Sequence, residues 1–142
     1  MNLTEFAKEV HENAVTHGWW DDKPSFGDVI ALCHSELSEA LEEYRKGHPL
    51  EWFECYDCYA ENALEGIITI CGSEETSECA QKNALHCDYR SKKPEGIAAE
   101  LADCILRILD YCGKAGIDIE DIITRKHEYN KTRPYRHGGK VL

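Results

Sequence analysis

Two carboxylate pairs, Glu36-x-x-Glu39 and Glu100-x-x-Asp103, have the residue types and spacing for joint chemistry. A step of three places side chains one turn apart on the same side of a helix, about 5–6 Å between Cβ atoms. Two such pairs face to face would converge four carboxylates. Like charges that close raise one another's pKa unless cations sit among them. All-oxygen ligation suits Mg²⁺, with Mn²⁺ as the substitute, because both keep water and substrate phosphate in their remaining positions. Glutamate pairs are also common on solvated helices, so the surroundings must separate a site from a surface. Downstream, Lys126, Asn130 and Arg133 follow one another at steps of four and three, which aligns them on one helix side.

The surroundings of the second pair are the more telling. Ile97–Asp110 reads as a helix with two apolar columns. One column holds Ile97, Leu101, Cys104, Ile105, Ile108 and Cys112; the other holds Ala98, Ala102, Leu106 and Leu109. A helix apolar over most of its circumference is expected inside a bundle or at a subunit interface. Its polar strip of Glu100, Asp103, Arg107 and Asp110 would then face an enclosed space, where unneutralised carboxylates are costly. One column is expected to pack on the chain's own second helix and the other to meet a partner subunit. Arg107 and Asp110 fit either the strip or an intrahelical or intersubunit ion pair.

Three more helices surround this one. Asn2-Leu3-Thr4-Glu5 reads as a capping box for the first, whose apolar side is Leu3, Phe6, Ala7, Val10 and Ala14 and whose stop is Gly18. Ser25-Phe26-Gly27-Asp28 caps a second helix running to about Lys46, with Glu36, Glu39 and Glu43 along one border of its apolar face. Gly113 and Gly116 are expected to end the third, and Asp118 caps the last, which Pro134 closes. The fold expected is all-α: a four-helix bundle in one domain, residues 1–142, with an irregular Cys-rich insertion at about 50–94 between the second and third helices.

Five of the eight cysteines fall in that insertion. Cys55-x-x-Cys58 has zinc-knuckle spacing; of the candidates Cys71, Cys79, His86 and Cys87, Cys79 and Cys87 are taken to complete a Zn²⁺ site, and plain reduced thiols are the other reading. Cys33, Cys104 and Cys112 lie in helical patterns and read as small buried hydrophobes. Trp19-Trp20 is either a plug at the bundle's end or a stacking platform for a flat ligand such as a nucleobase. His34 reads as a surface residue. His137, beside two glycines in the tail, could approach an anion.

The formal net charge of −11 argues against a nucleic-acid polymer as partner, which wants a basic stripe. No apolar run approaches the ~20 residues of a membrane span. Met1–Val10 lacks an apolar signal region, so the expected compartment is the cytoplasm.

His34-Ser35-Glu36-Leu37-Ser38-Glu39-Ala40, Glu100-Leu101-Ala102-Asp103 and the run Lys126–Lys140 together resemble the MazG-like, all-α nucleotide pyrophosphohydrolase superfamily. The resemblance spans the four helices and leaves the insertion without a counterpart in the smallest members. It implies a bundle completed by dimerisation or higher homo-oligomerisation. It also implies Mg²⁺ on Glu36, Glu39, Glu100 and Asp103, and hydrolysis of a nucleoside triphosphate to the monophosphate and pyrophosphate. Within it, Glu36 and Glu39 are the catalytic candidates, with Glu39 the preferred base. Lys126, Asn130 and Arg133 match phosphate- or sugar-contacting positions, and Trp19, Trp20 and His137 are further substrate-binding candidates. The alternatives are a phosphoribosyl-ATP pyrophosphohydrolase and a non-catalytic helical module that binds a nucleotide or a partner.

Overall fold

A computed structural model of the chain describes residues 2–54, 70–72 and 93–135. Its fold is helical. Four helices, α1 (Leu3–Thr16), α2 (Phe26–Lys46), α3 (Ile97–Ala115) and α4 (Ile119–Lys131), are accompanied by two short strands, β1 (Trp52–Glu54) and β2 (Ile70–Gly72). The strands pair antiparallel, with Trp52 opposite Gly72 and Glu54 opposite Ile70. Ile67-Ile68-Thr69-Ile70 reads as a short extended run in the sequence, and of it Ile70 alone falls among the described residues. The proposed zinc ligands Cys55, Cys58, Cys79 and Cys87, and His137 of the tail, lie outside them. No helix among the described residues is long and apolar enough to cross a membrane.

The helix starts follow their sequence signals. Asn2 Oδ1 accepts from the Glu5 amide at 2.9 Å, and Asp118 Oδ1 accepts from the Asp121 amide at 3.1 Å. At α2 the box is reciprocal: the Asp28 amide donates to Ser25 Oγ at 3.3 Å, and Asp28 Oδ2 accepts from the Ser25 amide at 2.8 Å. Such caps satisfy amides that the helix leaves without partners, each contributing about 1 kcal/mol.

The chain divides into two compact units. The first comprises residues 1–29 and 106–142. Its core is Ala7, Leu109 and Cys112, with Leu3, Phe6, Val10, Ile117 and Ile119 packed around it. Here α3 departs from expectation. It runs through Gly113 and stops only at Gly116, whose φ of +64° suits a residue without Cβ. Gly113 is instead a crossing point: a Cβ there would lie 2.3 Å from the Ala7 carbonyl oxygen and 2.7 Å from His11 Cβ. The starts of α1 and α4 are tied together, because Glu120 Oε2 accepts from the Leu3 amide at 2.6 Å and Asp118 Oδ1 accepts from Thr4 Oγ at 2.8 Å. Beyond that junction α4 has no buried residue, and Ile122 and Ile123 stay about half exposed.

Asp110, in the strip of α3, is held by residues of its own unit. Its carboxylate accepts from the His11 ring at 2.7 Å and from the Trp20 indole nitrogen at 2.9 Å, joining three segments of the first unit. Lys114 lies 3.8 Å from the Trp20 ring centroid and Arg107 lies 4.4 Å from that of Trp19.

The second unit spans residues 30–105. Among its described residues the buried apolar side chains are Cys33, Ala40, Trp52 and Cys104, and the buried acids are Glu36, Glu43 and Glu100. The cysteines of α2 and α3 are thus small core residues, as their helical positions suggested, and Cys112 is too. The two apolar columns of α3 divide unevenly. Cys104, Leu109 and Cys112 are buried, whereas Leu101, Ile105 and Ile108 keep 45%, 55% and 44% of their surface exposed.

Candidate metal centre

The middle of α2 and the first turns of α3 supply the acids of the second unit. Glu36 and Glu39 sit one turn apart on α2, and Glu100 lies in the opening turn of α3. One carboxylate oxygen of each lies within 4.8 Å of the others. Glu36 and Glu100 are buried and Glu39 is exposed, so the group has an enclosed side and a wet side. Ser35 Oγ donates to Glu39 Oε1 at 3.1 Å and restrains that carboxylate from its own helix.

Within the cluster the acids act on one another's charge. Burial pushes the Glu100 carboxyl above its ordinary range, and the charges of Glu39, Asp103, Glu36 and Glu95 push it further the same way. Asp103, one turn beyond Glu100, is exposed; its charge acts on Glu100, but it is not one of the three acids that converge. A cation does stand close by. Lys93 Nζ pairs with Glu95 Oε1 at 2.8 Å, and this bond, with the charges of Glu95, Glu100 and Asp103, holds the ammonium above its ordinary range.

Glu43, expected on the same acid border, has another task. It is buried, and its Oε2 accepts from the Trp52 indole nitrogen at 2.7 Å and from His48 Nδ1 at 2.8 Å. Burial works against its charge, yet these hydrogen bonds outweigh burial and lower its pKa below the ordinary value. Glu42, which helical spacing turns away from that border, pairs with Arg45 on the surface.

The remaining candidates stand as follows. His34 is exposed, as expected. Lys126, Asn130 and Arg133 are exposed on and just beyond α4 in the first unit, with Lys126 Nζ 5.6 Å from the Tyr129 ring centroid. Trp20 is half-buried with its nitrogen committed to Asp110, whereas Trp19 is 54% exposed. Lys93 and Glu95 carry no helical periodicity and were not anticipated; the signal available was a charged pair around Pro94, just ahead of the α3 start.

The donor set fits a hard divalent cation: it is all oxygen, it carries three negative charges, and it draws on two separate helices. In comparisons with family models, curated proteins and solved structures, the chain finds no match.

Proposed function

We propose that this chain is a Mg²⁺-dependent nucleoside triphosphate pyrophosphohydrolase of the MazG-like type, acting in nucleotide-pool house-cleaning in the cytoplasm. The observation that carries the reading is the convergence of Glu36, Glu39 and Glu100 within 4.8 Å, with two of the three buried. Three carboxylates this close destabilise one another at neutral pH unless a cation neutralises them. A bound divalent cation would relieve such repulsion.

Glu36, Glu39 and Glu100, with Asp103 at the open side, would hold the cation. When bound, Mg²⁺ supplies charge neutralisation at the transferring phosphoryl group and a lowered pKa for a coordinated water. Glu39, the exposed member, takes the proton of the water that attacks the α-phosphorus. By the family resemblance alone, Lys126 and Arg133 would stabilise the negative charge of the departing pyrophosphate, and Asn130 would orient the phosphate or sugar. Trp19, 54% exposed, is the candidate that would stack on the base. The products are a nucleoside monophosphate and pyrophosphate.

Association of two chains belongs to the same reading and would complete the helical bundle. Leu37, Leu41, Leu101 and Ile105 are all between 45% and 55% exposed in the second unit. Complete burial of such a side chain contributes about 1.5–3 kcal/mol, of which about half is still to be gained at each.

A panel of nucleoside and deoxynucleoside triphosphates, assayed with Mg²⁺ for pyrophosphate release, tests the activity. Asp103→Asn is expected to lose at least tenfold in turnover while its circular dichroism stays that of the parent. Absence of pyrophosphate release from every nucleotide would favour the non-catalytic module.

A further inference from the structure

The acid cluster requires α2 and α3 to stand close where their charges repel, so what fixes the two helices there bears on the cluster's geometry. Among the described residues of that unit, three of the four buried apolar side chains are small: Cys33, Ala40 and Cys104. The fourth is Trp52, at the root of the insertion, with 9% exposure. Its connections run in both directions. Towards α2, its indole nitrogen donates to buried Glu43 at 2.7 Å, and the His48 ring, which donates to the same oxygen, stands edge-on 5.2 Å away. Towards α3, the Trp52 main chain exchanges two hydrogen bonds with Glu95, at 3.0 and 2.9 Å.

Glu95 adjoins the start of α3, where the packing leaves no slack. Gly96 has φ +99°, and a Cβ there would lie 2.8 Å from the Leu50 carbonyl oxygen and 2.9 Å from Trp52 Cδ1. The Ala98 amide donates to Leu50 O at 2.9 Å, and the Glu100 amide donates to Gly96 O at 3.1 Å. A short, nearly unbroken path therefore links Glu43, seven residues along α2 from Glu36, to the backbone of Glu100.

The geometry points to Glu43 and Trp52 as a positioning pair: their buried hydrogen bond fixes the first turn of α3 against α2 and so keeps Glu100 within ligating reach of Glu36 and Glu39. The assignment rests on the metal-site reading above. It gives the insertion's root a role at the acid cluster, because the segment that leads into the insertion also sets the cluster's geometry. Neither residue touches substrate or metal. They act through Glu100.

The test uses the full chain with Trp52→Phe, which keeps an aromatic ring and removes the indole donor. Leu109→Ala, a cavity in the core of the first unit, serves as a control for general loss of stability. Two quantities are read: the Mn²⁺ dissociation constant, from the electron paramagnetic resonance of free Mn²⁺, and amide hydrogen exchange at residues 98–103 without metal. Trp52→Phe is expected to weaken Mn²⁺ binding about tenfold and to speed that exchange, whereas Leu109→Ala lowers the melting temperature and leaves Mn²⁺ affinity at the parent value. Parent-like Mn²⁺ affinity in Trp52→Phe, with or without faster exchange, would overturn the positioning role. So would an equal loss of affinity in Leu109→Ala. If the parent chain takes up no Mn²⁺, the metal reading fails by itself, and exchange at 98–103 then decides whether the pair holds the α3 start: unchanged exchange overturns it, faster exchange in Trp52→Phe alone supports it.

Discussion

Glu100 and Glu43 are both buried glutamates of one unit, and their environments push them in opposite directions. Glu100 has acids for neighbours, so burial and repulsion raise its pKa; Glu43 has donors, and its hydrogen bonds overcome the same burial. The consequence for Glu43 has a definite sign. Its carboxyl lies below the ordinary 4.5 in the folded chain, so its stabilising contribution is complete above that value. It is lost as pH falls through the lower folded value. Replacing it with glutamine removes a charged acceptor, which costs about 1.5–3 kcal/mol at pH 7. Urea unfolding of parent and Glu43→Gln should therefore show a gap at pH 7 that narrows once pH drops below the ordinary glutamate range. A gap constant with pH would mean that the charge of Glu43 is not what its partners hold. Spacing alone could not reveal this role. It places Glu43 in a row with Glu36 and Glu39, whereas the partner that distinguishes it, Trp52, lies past the helix end and outside any helical period.

At the scale of elements, local signals were legible and crossings were not. Asn2, Ser25 with Asp28, and Asp118 cap the helices their patterns announce, because a cap is a bond between residues three apart. The same locality lets spacing alone place both carboxylate pairs on helices. Gly113 shows where that reasoning ends. A glycine near a helix terminus ordinarily signals a stop, but here it admits the Ala7 carbonyl, a contact made across 106 residues of chain. Asp110 is similar, since its partners His11 and Trp20 are 99 and 90 residues away. Gly113→Ala should force α1 away from α3 and cost about 1–3 kcal/mol or more in equilibrium unfolding. Gly116→Ala meets no atom within 4 Å and strains only its φ of +64°, so its cost should be smaller, about 1 kcal/mol. Equal costs at the two glycines would remove the crossing as the explanation.

For the whole molecule, two apolar columns mark α3 as apolar over most of its circumference, and its exposed Leu101, Ile105 and Ile108 are surface that a lone chain leaves in water. Apolar periodicity reports that a face is to be covered; it carries no mark of whether the cover is the same chain or another. Light scattering of Ile105→Asp is expected to give a monomer where the parent gives a dimer, and a parent already monomeric would remove association from the proposal. The acid cluster was legible to a comparable extent. Spacing puts Glu36 with Glu39 on one helix side, and Glu100 joins them as the resemblance implied, whereas Asp103, paired with Glu100 by the same spacing, stands exposed one turn on. What drew the three together depends on the tie between Trp52, Glu43 and the α3 start, which no periodicity encodes.

The central claim is that these carboxylates exist to hold a divalent cation, and thermal unfolding with and without Mg²⁺ tests it most directly. Glu100 carries a raised pKa, so at neutral pH its charge opposes folding in the absence of metal. Glu100→Gln should accordingly melt higher than the parent without metal. With Mg²⁺ at a hundredfold excess over its dissociation constant, the parent should gain about 2.7 kcal/mol, a shift of several degrees, and Glu100→Gln should gain little. A parent that melts at the same temperature with and without Mg²⁺, or a variant stabilised as much as the parent, would contradict the assignment.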